Sequence, residues 1–305
     1  MPIDPATICV IANPNSGRNS HDAEAINKAM AVFGTATLRH WQQGQDMKEA
    51  VKTALKDGFT TIVAAGGDGT VMGVSNALVN TEANLAVLPL GTFNYFARGL
   101  ELSQEPEEAA RAILHGEPHR ISVGTVNGTV FLNNASLGIY PAILKQRESV
   151  YGRYGRRRIA AHWSVLKTFM RYRKPWRVTL RIDGQDQQVE TPLIFVARSA
   201  YQLERFGLPG AAEISNDDLV VFIARSGGRM ALLRTTWALC TRRVMIGRDM
   251  DLVRTESFTV ETKKPSLLVA YDGEKSRMDT PIRFEILPNA LSIILPHPDD
   301  RVETP

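Results

Sequence analysis

Three short glycine-bearing segments of this chain have the composition to hold phosphate. Gly66-Gly67-Asp68-Gly69-Thr70 follows an apolar run at 61–65 (TIVAA) and precedes a helical pattern. Asn13-Pro14-Asn15-Ser16-Gly17 follows a similar run at 7–12, and Leu88-Pro89-Leu90-Gly91-Thr92-Phe93-Asn94 follows another that begins at Leu85. Glycines at the carboxyl end of a strand let backbone N–H groups approach phosphate oxygens, and a helix N-terminus behind them adds favourable partial charge. Asp68 in such a loop would be repelled by phosphate. It therefore suits a Mg²⁺, a ribose hydroxyl or a substrate hydroxyl. Taken alone, the pentapeptide also reads as a turn with an acidic helix cap. Three polar loops on one sheet edge enclose a nucleotide-sized crevice. Neither G-x-x-x-x-G-K-[ST] nor G-x-G-x-x-G occurs there, so the crevice is not of the usual phosphate-loop or dinucleotide type.

Two other groups carry chemistry. Asp272-Gly273-Glu274 ends an apolar run at 267–271, a carboxylate pair flanking a glycine. Phosphorylating an alcohol needs an acceptor for its proton, which a carboxylate supplies, although the tripeptide is also an ordinary turn. The stretch from Arg153 to Arg177 holds nine Lys or Arg and no acid, with Trp163, Phe169 and Trp176 interleaved. Ile159, Trp163, Leu166 and Met170 fall at helical spacing within it. That pattern suits an interfacial helix on an anionic bilayer, or a core-packed helix with a solvated basic face. No recognised nucleic-acid fold accompanies it, so nucleic acid is not expected as a partner.

The elements that position these residues change character along the chain. Up to about residue 120, strand runs at 7–12, 35–39, 61–65 and 85–88 alternate with helical patterns at 22–33, 46–56 and 107–115. Repeated strand, loop and helix predict right-handed crossovers and a parallel, doubly wound sheet. Beyond it, strand runs at 193–197, 219–224, 258–261, 267–271, 282–287 and 291–295 dominate, with hairpin signals at Val126-Asn127-Gly128-Thr129 and Ile182-Asp183-Gly184-Gln185. Many short strands predict an antiparallel sandwich or barrel. The expected division is 1–125 for the α/β domain and 126–305 for the β domain, with a return of the last residues to the first domain left open.

Composition agrees with a folded protein. Of 305 residues, 44% are hydrophobic and 22% charged, which excludes disorder and collagen-like order. The net charge of +4 is too small to name a partner unless it is clustered. Cys9 and Cys240 are far apart and outside any C-x-x-C pattern, so a disulfide framework or zinc site is excluded and a reducing cytoplasm is expected. No apolar stretch approaches the length of a transmembrane helix, and the first residues lack the regions of a signal peptide.

The set NPNSG (13–17), GGDGT (66–70), PLGTFNYFARGL (89–100), FLNNASLG (131–138) and YDGE (271–274) closely resembles the diacylglycerol kinase catalytic-domain superfamily, especially its bacterial lipid kinases. The resemblance implies an α/β domain and a β-sandwich, with ATP in the cleft between them and a lipid head group facing it. It implies ATP and Mg²⁺ against Gly66, Gly67, Asp68, Gly69 and Thr70, with Asn13, Asn15, Ser16, His40, Thr92 and Asn94 completing the nucleotide pocket. The expected reaction is phosphorylation of a hydroxyl on a diacylglycerol-like lipid. Asp68 is expected at the reacting phosphates, and either Asp272 or Glu274 as the base. A structural Mg²⁺ is expected on Asp217 with the carbonyls of Ile214 and Leu219, although the loop reads Asn216-Asp217-Asp218-Leu219, with Asp where the family has Gly. A second departure is Val71-Met72-Gly73 after GGDGT, where the family continues with Asn-Glu. The expected setting is cytoplasmic, with peripheral association to an anionic membrane. The alternatives are an NAD kinase-like enzyme, which shares GGDGT, and a non-catalytic lipid- or nucleotide-binding regulator. Oligomeric state is not legible.

Overall fold

A computed structural model describes residues 3–13, 21–42, 44–139 and 175–302. The chain divides into two compact units, Met1–Val123 with Leu287–Pro305, and Gly124–Ile286. The final segment therefore belongs with the first unit.

The first unit is a parallel sheet in the order β2 (Thr37–His40), β1 (Ile8–Ala12), β3 (Thr61–Gly66), β4 (Asn84–Pro89) and the end of β16 (Ile282–Leu295). Strands β1 and β3 are buried along their whole length, as expected for inner parallel strands covered on both faces. Side chains alternate across a strand. Ile8, Val10 and Ala12 of β1 and Val63 and Ala65 of β3 share one core with Ile26 and Phe33 of α1 (His21–Phe33) and Ile113 of α5 (Pro106–His115). α3 (Asp68–Leu78) packs on β3 and β4, and α2 (Met47–Lys56) packs on α3. The doubly wound expectation holds. Its consequence is that the loops after β1, β3 and β4 leave the same edge of the sheet.

The second unit is antiparallel. One sheet runs β12 (Met250–Thr255), β11 (Leu219–Ala224), β10 (Leu193–Ala197), β7 (Asn134–Gly138), β14 (Ser266–Tyr271), β15 (Glu274–Asp279). The other strands include β13 (Ser257–Glu261), paired with the start of β16 and with β8 (Trp176–Ile182), which pairs β9 (Gln185–Thr191). Leu137, Val196, Val221 and Val269 from the first sheet share a core with Leu180, Phe258 and Phe284 from the second, where Phe258 and Phe284 stack at 4.7 Å between ring centroids. This is the expected β-sandwich.

Local differences from the sequence reading have local causes. The runs at 282–287 and 291–295 are one strand, because Asn289 takes a left-handed φ of 50° and donates its N–H to Ser122 Oγ at 3.2 Å. Pro288-Asn289 bends the strand without ending it. The sequence reading also contained no helix at α6 (Ala200–Phe206), α7 (Ala211–Ser215) or α8 (Gly228–Cys240). The basic segment lies outside the described residues except for Pro175, Trp176 and Arg177, the last two in β8.

Candidate active site

The loops after β3 and β4, at the carboxyl edge of the parallel sheet, meet through glycine. A Cβ on Gly91 would lie 2.5 Å from the Gly67 Cα and 2.6 Å from Asn94 Oδ1, distances that real Cβ atoms do not adopt. Only glycine at 91 lets the loops after β3 and β4 touch, and their contact leaves bare backbone at the edge. Gly67 is the N-cap of α3, and no side chain caps it. Asn94 holds the arrangement from beneath. It is buried, accepts from the Gly91 N–H at 3.0 Å and donates to the Gly91 carbonyl at 3.0 Å and to Gln104 Oε1 at 2.9 Å. Its role is therefore to fix the loop. The loop after β1 joins through Asn13, whose Nδ2 donates to the buried Thr70 Oγ1 at 3.1 Å.

Asp68 is the carboxylate of this edge. As the first residue of α3 it accepts the Phe96 N–H on Oδ1 at 3.2 Å, from α4 (Tyr95–Gly99). Burial pushes its carboxyl above the ordinary value, and the opposing pull of the amides of Phe96, Tyr95, its own residue and Asn94 is smaller. An acid held this way is relieved by a cation or a hydroxyl donor brought to it. A close glycine approach with a desolvated carboxylate beside it fits the phosphates of a nucleotide with its cation.

The remaining predicted contacts are less uniform. His40 ends β2 opposite Ala12 and is exposed. Gly69 and Thr92 are exposed, whereas Gly66 is buried in β3. Asn15 and Ser16 lie outside the described residues. Met72 is buried, and a Cβ on Gly73 would meet the Met47 Cγ at 3.2 Å. At Gly73 the departure from the family pattern thus faces the packing of α2 on α3.

In the second unit, Asp272 and Glu274 separate cleanly. Asp272-Gly273 is the two-residue turn between β14 and β15, with φ of 43° and 87°, the same turn as Asn127-Gly128 and Asp183-Gly184. The Asp272 side chain is buried. It accepts the N–H groups of Leu132 at 2.6 Å, Asn133 at 2.9 Å and Asn134 at 3.0 Å. It is an anchor for the turn and for the 131–138 segment. Glu274 opens β15 and is exposed. Sequence reading missed the three backbone donors, although FLNNASLG marked the segment.

The expected structural metal loop is filled by a protein cation. Arg198 donates from Nη2 to Asp217 Oδ1 at 2.5 Å and from Nη1 to the Ile214 carbonyl at 2.8 Å, with its side chain 8% exposed. Leu219 begins β11 in register with Thr255. Two of the three expected ligands are hydrogen-bonded to a guanidinium, so these residues do not fit a Mg²⁺. No group of three or more acidic, His or Cys side chains able to hold a metal occurs among the described residues. Arg198 follows β10 at a distance in sequence that gave no signal of this pairing.

Residues 7–126 match the diacylglycerol kinase catalytic domain, and residues 146–295 match the YegS C-terminal NAD kinase beta sandwich-like domain. A "Probable lipid kinase YegS-like" of Pseudomonas aeruginosa is 48% identical over 100 residues, 32% of each chain. A diacylglycerol kinase of Bacillus subtilis is 38% identical over 136 residues, 42% of this chain and 45% of that one. These matches span less than half the length of those relatives. The crystal structure of a diacylglycerol kinase from Bacillus anthracis shares the fold, with a TM-score of 0.68, 21% identity, and 96% of this chain and 97% of that one covered.

Proposed function

We propose, from the match of residues 7–126 to the diacylglycerol kinase catalytic domain and of residues 146–295 to the YegS C-terminal domain, that the chain is an ATP-dependent lipid kinase of the diacylglycerol kinase superfamily. Its substrate would be a hydroxyl of a diacylglycerol-like lipid. The observation that carries this reading is the Gly67–Gly91 contact with the desolvated Asp68 carboxylate next to it. ATP supplies the phosphoryl group, and Mg²⁺ neutralises charge on the phosphates. Backbone at Gly67 and Gly91 receives the phosphates, and Asp68 holds the cation or donor beside them. Glu274 is the carboxylate that takes the proton of the attacking hydroxyl as the new O–P bond forms and ADP leaves. The Asp272 anchor fixes the turn that carries it. The Met72-Gly73 departure motivates the non-catalytic alternative; at Gly73 the departure faces the packing of α2 on α3.

Labelled ATP with a panel of lipid vesicles plus NAD, read by product mass, tests the proposal. A phosphorylated lipid is the expected product. Phosphorylated NAD, or no product with ATP still bound, would replace the lipid kinase reading by one of its alternatives.

A further inference from the structure

Helix α8 (Gly228–Cys240) is apolar on two faces, and only one of them is covered. Leu232, Thr235 and Ala238 are buried. On the other side Met230, Leu233 and Trp237, spaced three and four apart, are 77%, 46% and 72% exposed. The loop that follows adds Met245 and Ile246, both exposed. Five of the eight large apolar side chains exposed among the described residues thus fall within 17 consecutive positions. A patch of this kind marks a docking surface.

Its charge identifies the occupant. Residues 225–251 contain six arginines and two acids, a net +4, equal to that of the entire chain. Asp251 pairs with Arg225 at 2.7 Å, and the fully buried Asp249 clamps Arg234 at 3.0 Å and Arg248 at 2.8 Å, while Arg234 and Arg248 remain about half exposed. Arg242 and Arg243 are exposed and make no ion pair among the described residues. A second copy of the chain would bring the same positive patch against itself, because a two-fold interface is self-complementary. A nucleic acid would match the charge but leave Met230, Leu233, Ile246 and Met245 without a partner. An anionic bilayer matches both, since it takes arginines at its headgroups and Trp, Met and Leu at the acyl boundary.

We propose that α8 and the 241–248 loop are the membrane-docking face of this protein, seated on anionic lipid. This rests on the lipid kinase reading for its purpose but not for its chemistry. It assigns the docking to residues other than the Arg153–Arg177 segment.

Binding of the intact chain to sucrose-loaded vesicles, with and without phosphatidylglycerol in phosphatidylcholine, tests it. Wild type is expected to bind the anionic vesicles, and less so as salt rises. Arg242→Gln with Arg243→Gln should lower partitioning roughly 30-fold at low salt, since each interfacial cation contributes about a factor of five. Trp237→Gln should lower it about tenfold or more, and its loss should abolish the blue shift of fluorescence on binding. Phosphorylation of a short-chain soluble substrate should be unchanged in both variants. Vesicle binding equal to wild type in both variants overturns the proposal and leaves the kinase reading intact. So does a change confined to self-association, read by sedimentation velocity. Vesicle binding lost in the variants of a chain that phosphorylates no lipid would keep the docking face and remove the kinase reading.

Discussion

Gly67 and Gly91 meet so closely that the missing side chain of Gly91 is what joins the β3 and β4 loops. The neighbours are backbone and the fixed amide of Asn94, which cannot swing away as a flexible side chain would. Gly91→Ala is therefore expected to cost about 1–3 kcal/mol, the range for overpacking, and to weaken ATP binding with it. Gly73→Ala provides the contrast. Its Cβ would meet the flexible Met47 side chain at 3.2 Å, and alanine favours the helix interior by about 0.5–1 kcal/mol. Denaturant unfolding and nucleotide titration of the two variants should separate, with Gly73→Ala close to wild type. Equal behaviour would mean that the glycine contact does not shape the site.

Asp68→Asn should stabilise the ligand-free protein while abolishing turnover. The folded carboxyl sits above its unfolded value because burial penalises the charged form. Ionisation above the unfolded value near 3.9 therefore costs stability, and the cost disappears as pH falls below it. The variant should melt higher than wild type at pH 7, with the gap closing toward pH 4. It keeps an oxygen for the Phe96 N–H but loses the charge that draws in a cation. A variant that turns over at the wild-type rate would remove Asp68 from the reaction.

The two acids of the 272–274 turn should fail in opposite ways. Asp272→Asn replaces one accepting oxygen by a donor facing buried N–H groups, and each such unsatisfied group costs about 1–3 kcal/mol. It should lower the melting temperature first and activity only as a consequence. Glu274→Gln changes an exposed group, so stability should hold while kcat drops by about 10²–10⁴ with ATP binding intact. Calorimetry paired with initial rates distinguishes them. If Asp272→Asn loses kcat at unchanged stability, the roles are reversed.

Much of this was legible in the sequence where a local pattern has one structural solution. Uninterrupted apolar runs gave β1, β3 and β4, and Asn-Gly and Asp-Gly gave two primed hairpin turns. Asp272-Gly273 carried the same turn signal, but the chemistry of its acids drew the reading toward catalysis. What stayed hidden was long-range. No spacing rule links Asp272 to the amides of 132–134, some 140 positions away, or Arg198 to Asp217. Helix α8 was hidden for another reason, since a helix apolar on two faces lacks the one-sided period that announces a surface helix.

The Arg198–Asp217 pair makes a prediction about metal dependence. Its guanidinium brings the positive charge that a divalent ion would bring, and holds the Asp217 carboxylate and the Ile214 carbonyl together. The melting temperature of nucleotide-free wild type should therefore be the same after chelator dialysis as with added Mg²⁺. Asp217→Asn, chosen because asparagine tolerates the φ of 65° at this position, should destabilise by about 1–2 kcal/mol. Arg198→Met should cost more, because it removes both hydrogen bonds of the buried guanidinium, to the Asp217 carboxylate and to the Ile214 carbonyl. Added Mg²⁺ should recover part of that loss in Arg198→Met and none in Asp217→Asn. A wild-type melting temperature that falls on chelation and returns with Mg²⁺ would show that the loop holds a metal alongside the arginine, and would reverse this account of the 214–219 segment.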